Sequence, residues 1–121
     1  MVSDAKIKLG RMGETLAAEF LSRQGVEIVA RNVRTAYGEL DIVGIVKDMT
    51  VTFEVKTRTS EAYGYPEDSI SAAKQKHLTE SSQAFLQNQP ELPADWRIDV
   101  VAIRLMPGKA PEIEWFANAV S

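Results

Sequence analysis

Three charged residues interrupt two segments that otherwise carry the alternation of β-strands. Asp41 lies within the apolar run 40–46, and Glu54 and Lys56 project from one side of the segment 49–58. Carboxylate oxygens are the ligands that hard divalent cations such as Mg²⁺ and Mn²⁺ prefer. Two carboxylates and a lysine aimed off core strands therefore indicate a site that could bind a cation or hold a proton of shifted pKa.

The connection between the two segments decides whether the carboxylates meet. A hairpin that turns symmetrically about Lys47-Asp48 places Asp41 opposite Glu54. The same register places Glu39 opposite Lys56. An odd-length loop would instead put Asp41 and Glu54 on opposite faces, and this turn lacks the glycine that usually fixes the register.

Facing carboxylates do not stabilise a sheet. Side chains directly opposite one another have Cβ atoms about 5 Å apart, and two carboxylates at that distance repel by roughly 3 kcal/mol at an effective dielectric of about 20. Either a cation bridges Asp41 and Glu54, or Lys56 and a raised pKa relieve the repulsion. The structural alternative is that both carboxylates lie in water near strand ends, with Lys56 as an ordinary salt-bridge partner.

Seven predicted elements position these residues. They are a helix from Ser3 or Asp4 to Arg23, strands at about 26–33, 39–46 and 49–58, a helix capped by Asp68 or Ser69 and running to about Asn88, and strands at about 96–105 and 112–116. Strict alternation would place Leu40, Ile42 and Val46 on one face of the second strand.

The connections between the elements predict the sheet. The helix between the third and fourth strands predicts a parallel, right-handed crossover, whereas the short polar connections predict antiparallel neighbours. The expected fold is therefore α/β (α+β in some schemes), with a mixed sheet flanked by helices in the order α-β-β-β-α-β-β. At 121 residues the chain is expected to form a single domain, 1–121.

Composition limits the chemistry. The chain has no cysteine and one histidine, which excludes disulfides, thiolate nucleophiles, cysteine zinc sites and multi-histidine metal cages. Any bound metal must therefore have oxygen ligands, which favours Mg²⁺ or Mn²⁺ as the cofactor.

Charge and hydropathy limit the partners. The net charge of -3 and the pI near 5.2 argue against a nonspecific basic coat for nucleic acid. No apolar run approaches the roughly 18 to 20 residues that span a bilayer. Because residues 1–20 carry charges throughout, they contain no apolar signal-peptide centre. We expect a cytoplasmic protein with no membrane partner.

Two motifs resemble a known family. Gly38-Glu39-Leu40-Asp41-Ile42-Val43 and Phe53-Glu54-Val55-Lys56-Thr57-Arg58 resemble the YraN-like family of uncharacterised bacterial proteins. By similarity that family belongs to the restriction-endonuclease-like PD-(D/E)xK superfamily, near the archaeal Holliday junction resolvases, whose core order is also α-β-β-β-α-β. The likeness covers nearly the whole chain and includes Gly13-Glu14, Arg31-Asn32-x-Arg34, Gly64-x-Pro66, Lys74-Gln75, Arg97-Ile98-Asp99-Val100-Val101 and Asn118-Ala119.

The resemblance implies a metal-dependent nuclease that hydrolyses phosphodiester bonds, with branched DNA as one possible substrate. Asp41 and Glu54 would bind Mg²⁺ or Mn²⁺ together with the backbone carbonyl of Val55, and Glu14 from the first helix would complete the metal shell. Lys56 would orient or activate the attacking water. Resolvase-like relatives also imply a homodimer, for which the apolar last strand is a candidate edge.

Other residues keep two interpretations. Arg58, Lys74, Gln75 and Arg34 would contact the nucleic acid, or they form a solvated basic face. Glu39 is either a partner of Lys56 behind the metal ligands or a residue at the strand edge. The aromatics of Tyr63-Gly64-Tyr65-Pro66 could stack on bases, although fixing the loop onto the domain is the simpler interpretation.

Three functions are therefore compatible with the sequence. The first is the metal-dependent endonuclease, which needs Glu14, Asp41, Glu54 and Lys56. The second is a non-catalytic nucleic-acid-binding module of the same fold. The third is an acidic interaction protein without a nucleic-acid role, which the low pI favours.

Overall fold

The computed structural model describes residues 4–59 and 70–120. They form helices α1 (Asp4–Arg23) and α2 (Ala72–Gln87) and strands β1 (Glu27–Thr35), β2 (Gly38–Val46), β3 (Met49–Arg58), β4 (Trp96–Arg104) and β5 (Glu112–Val120). The strands lie side by side in chain order, with β3 and β4 parallel and the other neighbours antiparallel. This confirms the predicted α/β class, the mixed sheet and the element order. Neither of the described helices is long and apolar enough to cross a membrane.

The two helices cover opposite faces of the sheet. Ala17 and Leu21 of α1 pack in one apolar cluster with Ile42, Val51 and Phe53. Leu78 of α2 packs in a second cluster with Val43, Ile98 and Val100. The sheet is therefore covered on both sides, which explains why its central strands are so apolar.

The predicted faces of β3 are confirmed. Val51 and Phe53 lie on the α1 side. The Thr52 hydroxyl lies 2.9 Å from the Ser82 hydroxyl of α2, and the Glu54 carboxylate pairs with Lys74 of α2. Glu54 therefore projects between the sheet and the second helix.

The β2–β3 hairpin has the symmetric register. Its ladder runs from Val46–Met49 to Ile42–Phe53 around a two-residue turn, in which Lys47 adopts a left-handed φ of 55°. This ladder ends one residue before Asp41 and Glu54, whereas the β3–β4 ladder continues to Arg58–Arg104. The two carboxylates therefore lie just beyond the end of the β2–β3 pairing.

Strict alternation in β2 is wrong at Asp41. Leu40 packs with Val43 on the α2 side, while Ile42 packs on the α1 side. In the β1–β2 register Asn32 lies across from Asp41, and it has a left-handed φ of 52°. This local distortion places Leu40 and Ile42 on opposite faces of the sheet, whereas simple alternation predicts the same face.

Two predicted ends also differ. The second helix begins at Ala72, where the Ser71 hydroxyl accepts a 3.1 Å hydrogen bond from Lys74 N–H. The predicted caps Asp68 and Ser69 lie outside the described residues, as does the loop with Tyr63 and Tyr65. The last strand does not end at Phe116 but continues to Val120.

Candidate metal centre

Three carboxylates from two elements meet beside the point where the pairing of β2 with β3 ends. Glu14 of α1 and Glu39 and Asp41 of β2 each offer one oxygen, and these oxygens all lie within 4.8 Å of one another. All three side chains are half-buried. Like charges this close repel, so the cluster favours either protonation or a bound cation.

A close contact between α1 and β3 sets the position of Glu14. A Cβ atom on Gly13 would overlap Thr57 Oγ1 and would lie 3.1 Å from Thr57 Cβ. Only glycine allows the helix to approach the strand this closely. The next residue in the chain, Glu14, is thereby brought to the carboxylates of β2.

Replacing Gly13 with alanine is therefore expected to destabilise the protein by about 1–3 kcal/mol, because the helix must move away from Thr57. Gly10→Ala is the matched control, since a Cβ there meets nothing within 4 Å. The control should gain about 0.5–1 kcal/mol from helix propensity. Urea denaturation measures both changes, and two shifts in the same direction would contradict the packing argument.

Burial raises the pKa of Glu14 above its ordinary value, and the charges of Asp41 and Glu39 raise it further. Arg31 and Arg11 act in the opposite direction. A half-buried carboxylate with two acidic neighbours holds its proton more tightly than a free one. A divalent cation would remove that repulsion.

Asp41 is fixed by the backbone of β3. Its Oδ2 accepts a 2.8 Å hydrogen bond from Val55 N–H, at the position where the β2–β3 ladder has ended. Burial raises the pKa of Asp41, while this hydrogen bond and the charge of Lys74 lower it. The Val55 peptide thus contacts the site through its N–H, and the role of its carbonyl as a metal ligand stays a prediction.

Glu54 is the most buried acidic residue of the site, with 5% of its surface exposed. Its Oε1 lies 3.6 Å from Lys74 Nζ and 4.0 Å from Lys56 Nζ. Its buried Oε2 has no hydrogen-bond partner among the described residues. Buried polar atoms are nearly always paired in stable folds, so this carboxylate oxygen is open to a water or to a cation.

The pKa of Glu54 is raised to about 7, first by burial and then by the charge of Asp41, while Lys74 and Lys56 act in the opposite direction. Among the described residues, the carboxylate oxygens that lie within 4.8 Å of one another belong to Glu14, Asp41 and Glu39, and Glu54 is not part of this group. The structure therefore brings Glu14, Glu39 and Asp41 together and sets Glu54 beside Asp41 with its two lysines.

The metal-free protein should lose stability as the pH rises. The pKa of Glu54 increases from 4.5, its ordinary value, to about 7 on folding, so the folded chain binds more protons between these pH values. The free energy of unfolding should fall across this range by on the order of 3 kcal/mol and be unaffected by this group above it. Urea denaturation in EDTA at pH 5 and pH 8 measures the difference. An equal pH dependence in Glu54→Gln would contradict this assignment.

The predicted nucleic-acid contacts already have partners within the protein. Lys74 pairs with Glu54, and Gln75 Nε2 donates to the Ile70 carbonyl at 3.1 Å. The largely exposed Arg34 lies 3.6 Å from Glu39. Arg58 ends β3 and is half-buried. Contacts of these four residues with a nucleic acid stay predictions.

Glu39 lies near the start of β2, across from Arg34 of β1. It contacts Arg34 and belongs to the carboxylate cluster, and no described contact joins it to Lys56. Among the described residues it is therefore a candidate ligand together with Glu14 and Asp41. The only sign of this ligand role in the sequence is the spacing of Glu39 and Asp41, which are two residues apart and so fall on the same face of a regular strand.

Sequence reasoning missed Asn32. When the oxygen and nitrogen of the Asn32 amide are exchanged, as the surrounding acceptors require, its nitrogen donates to Glu14 Oε1 at 2.7 Å and to Glu39 Oε1 at 3.2 Å. It thereby links α1 to β2 across the cluster. Asparagine tolerates a left-handed φ, and Arg31-Asn32-x-Arg34 belongs to the family resemblance, but neither feature points to the carboxylates.

The donor set fits a hard divalent cation. The site offers carboxylate oxygens from Glu14, Glu39, Asp41 and Glu54, and it contains no sulfur or imidazole ligand. The lysines at 56 and 74 add positive charge on the α2 side. Such an arrangement can hold a cation, bind an anionic substrate group and position a water.

Comparison with known proteins identifies the family. The model of "Uncharacterised protein family UPF0102" matches residues 13–103, which include the four carboxylates and both lysines. A UPF0102 protein of Syntrophotalea carbinolica is 42% identical over 114 residues, 94% of this chain and 92% of that protein. One of Paenarthrobacter aurescens is 48% identical over 104 residues, 85% of each chain. The resemblance to the YraN-like family is thus confirmed, and the chain belongs to the uncharacterised protein family UPF0102.

Proposed function

We propose that the protein is a nuclease that uses Mg²⁺ or Mn²⁺ to hydrolyse phosphodiester bonds of nucleic acid. The observation that carries the proposal is the Glu54 carboxylate, buried beside Asp41 with two lysines at one oxygen and no partner at the other. Burying a carboxylate in this way costs stability unless it is fully paired. A cation-binding role explains why the fold retains it.

Asp41 and Glu54 would hold the metal, with Glu14 and Glu39 as further oxygen ligands. When bound, the metal lowers the pKa of a water and stabilises negative charge on the phosphate. The Val55 N–H orients Asp41, and Asn32 orients Glu14 and Glu39. Each ligand is therefore held by a hydrogen bond or by packing before substrate arrives.

Lys56 would act on the water or the phosphate. Its Nζ lies 4.0 Å from Glu54 Oε1, and its side chain is 22% exposed, so it can reach substrate from a partly buried position. A cation bound at Glu54 would compete with both lysines for this carboxylate. Lys56 and Lys74 would then be released to bind phosphate oxygens.

DNA is the proposed substrate, and the resolvase resemblance suggests branched DNA. The same resemblance suggests a homodimer, because a junction presents two symmetric cuts. β5 is an edge of the sheet. Three apolar side chains of β5 pack partly against the cores, namely Ile113, Trp115 and Phe116. Pairing at this edge would therefore use the strand backbone more than these side chains. A cytoplasmic location also stays a proposal.

Cleavage assays test the function. The purified protein is incubated with Mn²⁺ or Mg²⁺ and with supercoiled, single-stranded and four-way-junction DNA and with RNA. Cleavage of at least one substrate that stops in EDTA supports the proposal. Absence of cleavage on every substrate would overturn it.

The alternatives give different results in the same samples. Salt-dependent binding without turnover would select the non-catalytic nucleic-acid-binding module. An acidic interaction protein would bind no Mn²⁺ at Asp41 and Glu54, and nucleic acid would not change its thermal stability. The ion pairs of Glu54 with lysines and of Glu39 with Arg34 keep the metal-free site partly neutral, so these alternatives need the direct test.

A further inference from the structure

A groove lies beside the carboxylate cluster, between α1 and β1. Its volume is about 780 Å³, and the residues that line it include Lys6, Gly10, Arg11, Glu14, Arg31 and Glu39. Glu14 and Glu39 belong to both the groove and the cluster. A ligand in the groove would therefore adjoin a metal held at these carboxylates.

The arginines of this groove differ from the cations that are already paired with carboxylates of the site. Arg34 and Lys74 are paired with Glu39 and Glu54. Arg11 and Arg31 are exposed, and within residues 4–59 and 70–120 neither forms an ion pair within 4.0 Å. The hydrogen bond from Arg31 Nη2 to Thr15 Oγ1, at 3.3 Å, fixes the guanidinium without neutralising it.

Charge makes this groove responsive to metal. Its lining has three cationic side chains, Lys6, Arg11 and Arg31, and two carboxylates, Glu14 and Glu39, so the formal sum is +1. A divalent cation at the cluster raises the sum to +3. The groove would then attract a polyanion much more strongly than in the metal-free protein.

The groove also has open space beside Gly10. Gly10 lines it, and a Cβ atom built there meets nothing within 4 Å. A side chain at this helical position would therefore start in the open space of the groove. This gives a way to block the groove without changing its charge.

We propose that this α1–β1 groove holds the phosphodiester backbone of the nucleic-acid strand next to the bond that is hydrolysed, with Arg11 and Arg31 contacting phosphates. The inference deepens the proposed nuclease function and rests on it. Phosphate contacts by arginine position a strand without reading its sequence. Arg11 and Arg31 would thus add to the nucleic-acid contacts predicted for Arg58, Lys74, Gln75 and Arg34.

Binding in Ca²⁺ tests the groove without relying on turnover. Anisotropy of a labelled single strand and of a labelled four-way junction is measured over a salt series. For the double variant Arg11→Gln/Arg31→Gln we expect binding about 25- to 100-fold weaker near 0.1 M salt. The slope of log K against the logarithm of salt concentration should be smaller in magnitude by about 1.4 to 1.8. Gly10→Phe should also weaken binding at least about fivefold while keeping the wild-type slope, because it removes no charge. The matched control Arg23→Gln, on an exposed i,i+4 pair at the far end of α1, should bind within about twofold of wild type.

Each result decides the inference. Wild-type affinity and slope in the double variant would overturn it, as would no nucleic-acid binding by the wild-type protein, or displacement of DNA by a poly-glutamate peptide at equal charge concentration. Failure of the nuclease proposal is distinguishable. Groove-dependent binding without Mn²⁺-dependent cleavage would overturn the nuclease and leave the groove supported, whereas cleavage with unchanged binding by the variants would overturn the groove alone.

Discussion

Replacing Glu54 with glutamine is expected to reduce Mn²⁺-dependent cleavage by at least about 10³-fold, equivalent to about 4 kcal/mol of transition-state stabilisation. Glutamine keeps the shape of the side chain but lacks the charge that would hold the cation. The buried oxygen that has no partner would no longer be anionic. Initial rates on the best substrate, with wild type and variant side by side, measure the effect.

The same substitution should stabilise the metal-free protein above pH 7, because it removes a buried charge that folding must desolvate. Lost activity with gained stability separates a functional carboxylate from a structural one. Glu19→Gln is the control, since Glu19 lies in an exposed pair with Arg23 and should affect neither quantity. Cleavage retained within about tenfold in Glu54→Gln would contradict the assigned role of this residue.

Replacing Asp99 with alanine is expected to destabilise the protein by about 3–5 kcal/mol. Asp99 is fully buried, and its two oxygens accept hydrogen bonds from Arg97 at 2.9 and 3.2 Å. Trp115 Nε1 donates at 2.8 Å and Asn118 N–H at 2.7 Å. Alanine would leave all these donors without their acceptor, including the charge of Arg97.

Chemical denaturation measures the loss, with Asp95→Ala as the control, because Asp95 is exposed just before β4. Hydrogen exchange adds a local readout. In Asp99→Ala, the amide of Asn118 and its neighbours at the end of β5 should exchange faster, while the amides of the remaining sheet stay protected. A loss below about 1 kcal/mol would show that the Asp99 contacts are not a main support of β5.

Much of the fold follows from local rules. Alternation predicts that Glu54 projects from one side of β3, and the structure has it there, between the sheet and α2, because the strand is regular. The sequence left the hairpin register open between a symmetric turn and an odd-length loop. The structure has the two-residue turn, in which Lys47 supplies the left-handed φ that glycine usually provides. Local patterns succeed where the backbone is regular and connections are short.

The differences arise where distant residues distort the backbone. Leu40 was placed on the wrong face because Asn32, on the neighbouring strand, is left-handed opposite Asp41. The predicted last strand ends too early because the real strand continues past a bulge at Asn118, and this bulge depends on the buried carboxylate of Asp99. Asp99 accepts the hydrogen bond of the Asn118 N–H from nineteen residues away in the chain. A contact at that separation leaves no periodic pattern in the sequence.

The site divides in the same way. Asp41, Glu54 and Lys56 stood out because charge interrupted a strand, and Glu14 entered only through the family resemblance. Its meeting with β2 depends on the contact of Gly13 with Thr57, which no local pattern reveals. The cluster with Glu39 and the bridge by Asn32 are likewise tertiary.

The central claim is that these carboxylates bind a divalent cation, and anomalous scattering from a crystal soaked in millimolar Mn²⁺ tests it most directly. We predict one strong anomalous peak about 2.0–2.6 Å from an Asp41 oxygen, with further ligands among Glu54, Glu14 and Glu39. No peak at Asp41, with Glu54 still paired to Lys74 and Lys56 at saturating Mn²⁺, would contradict the claim.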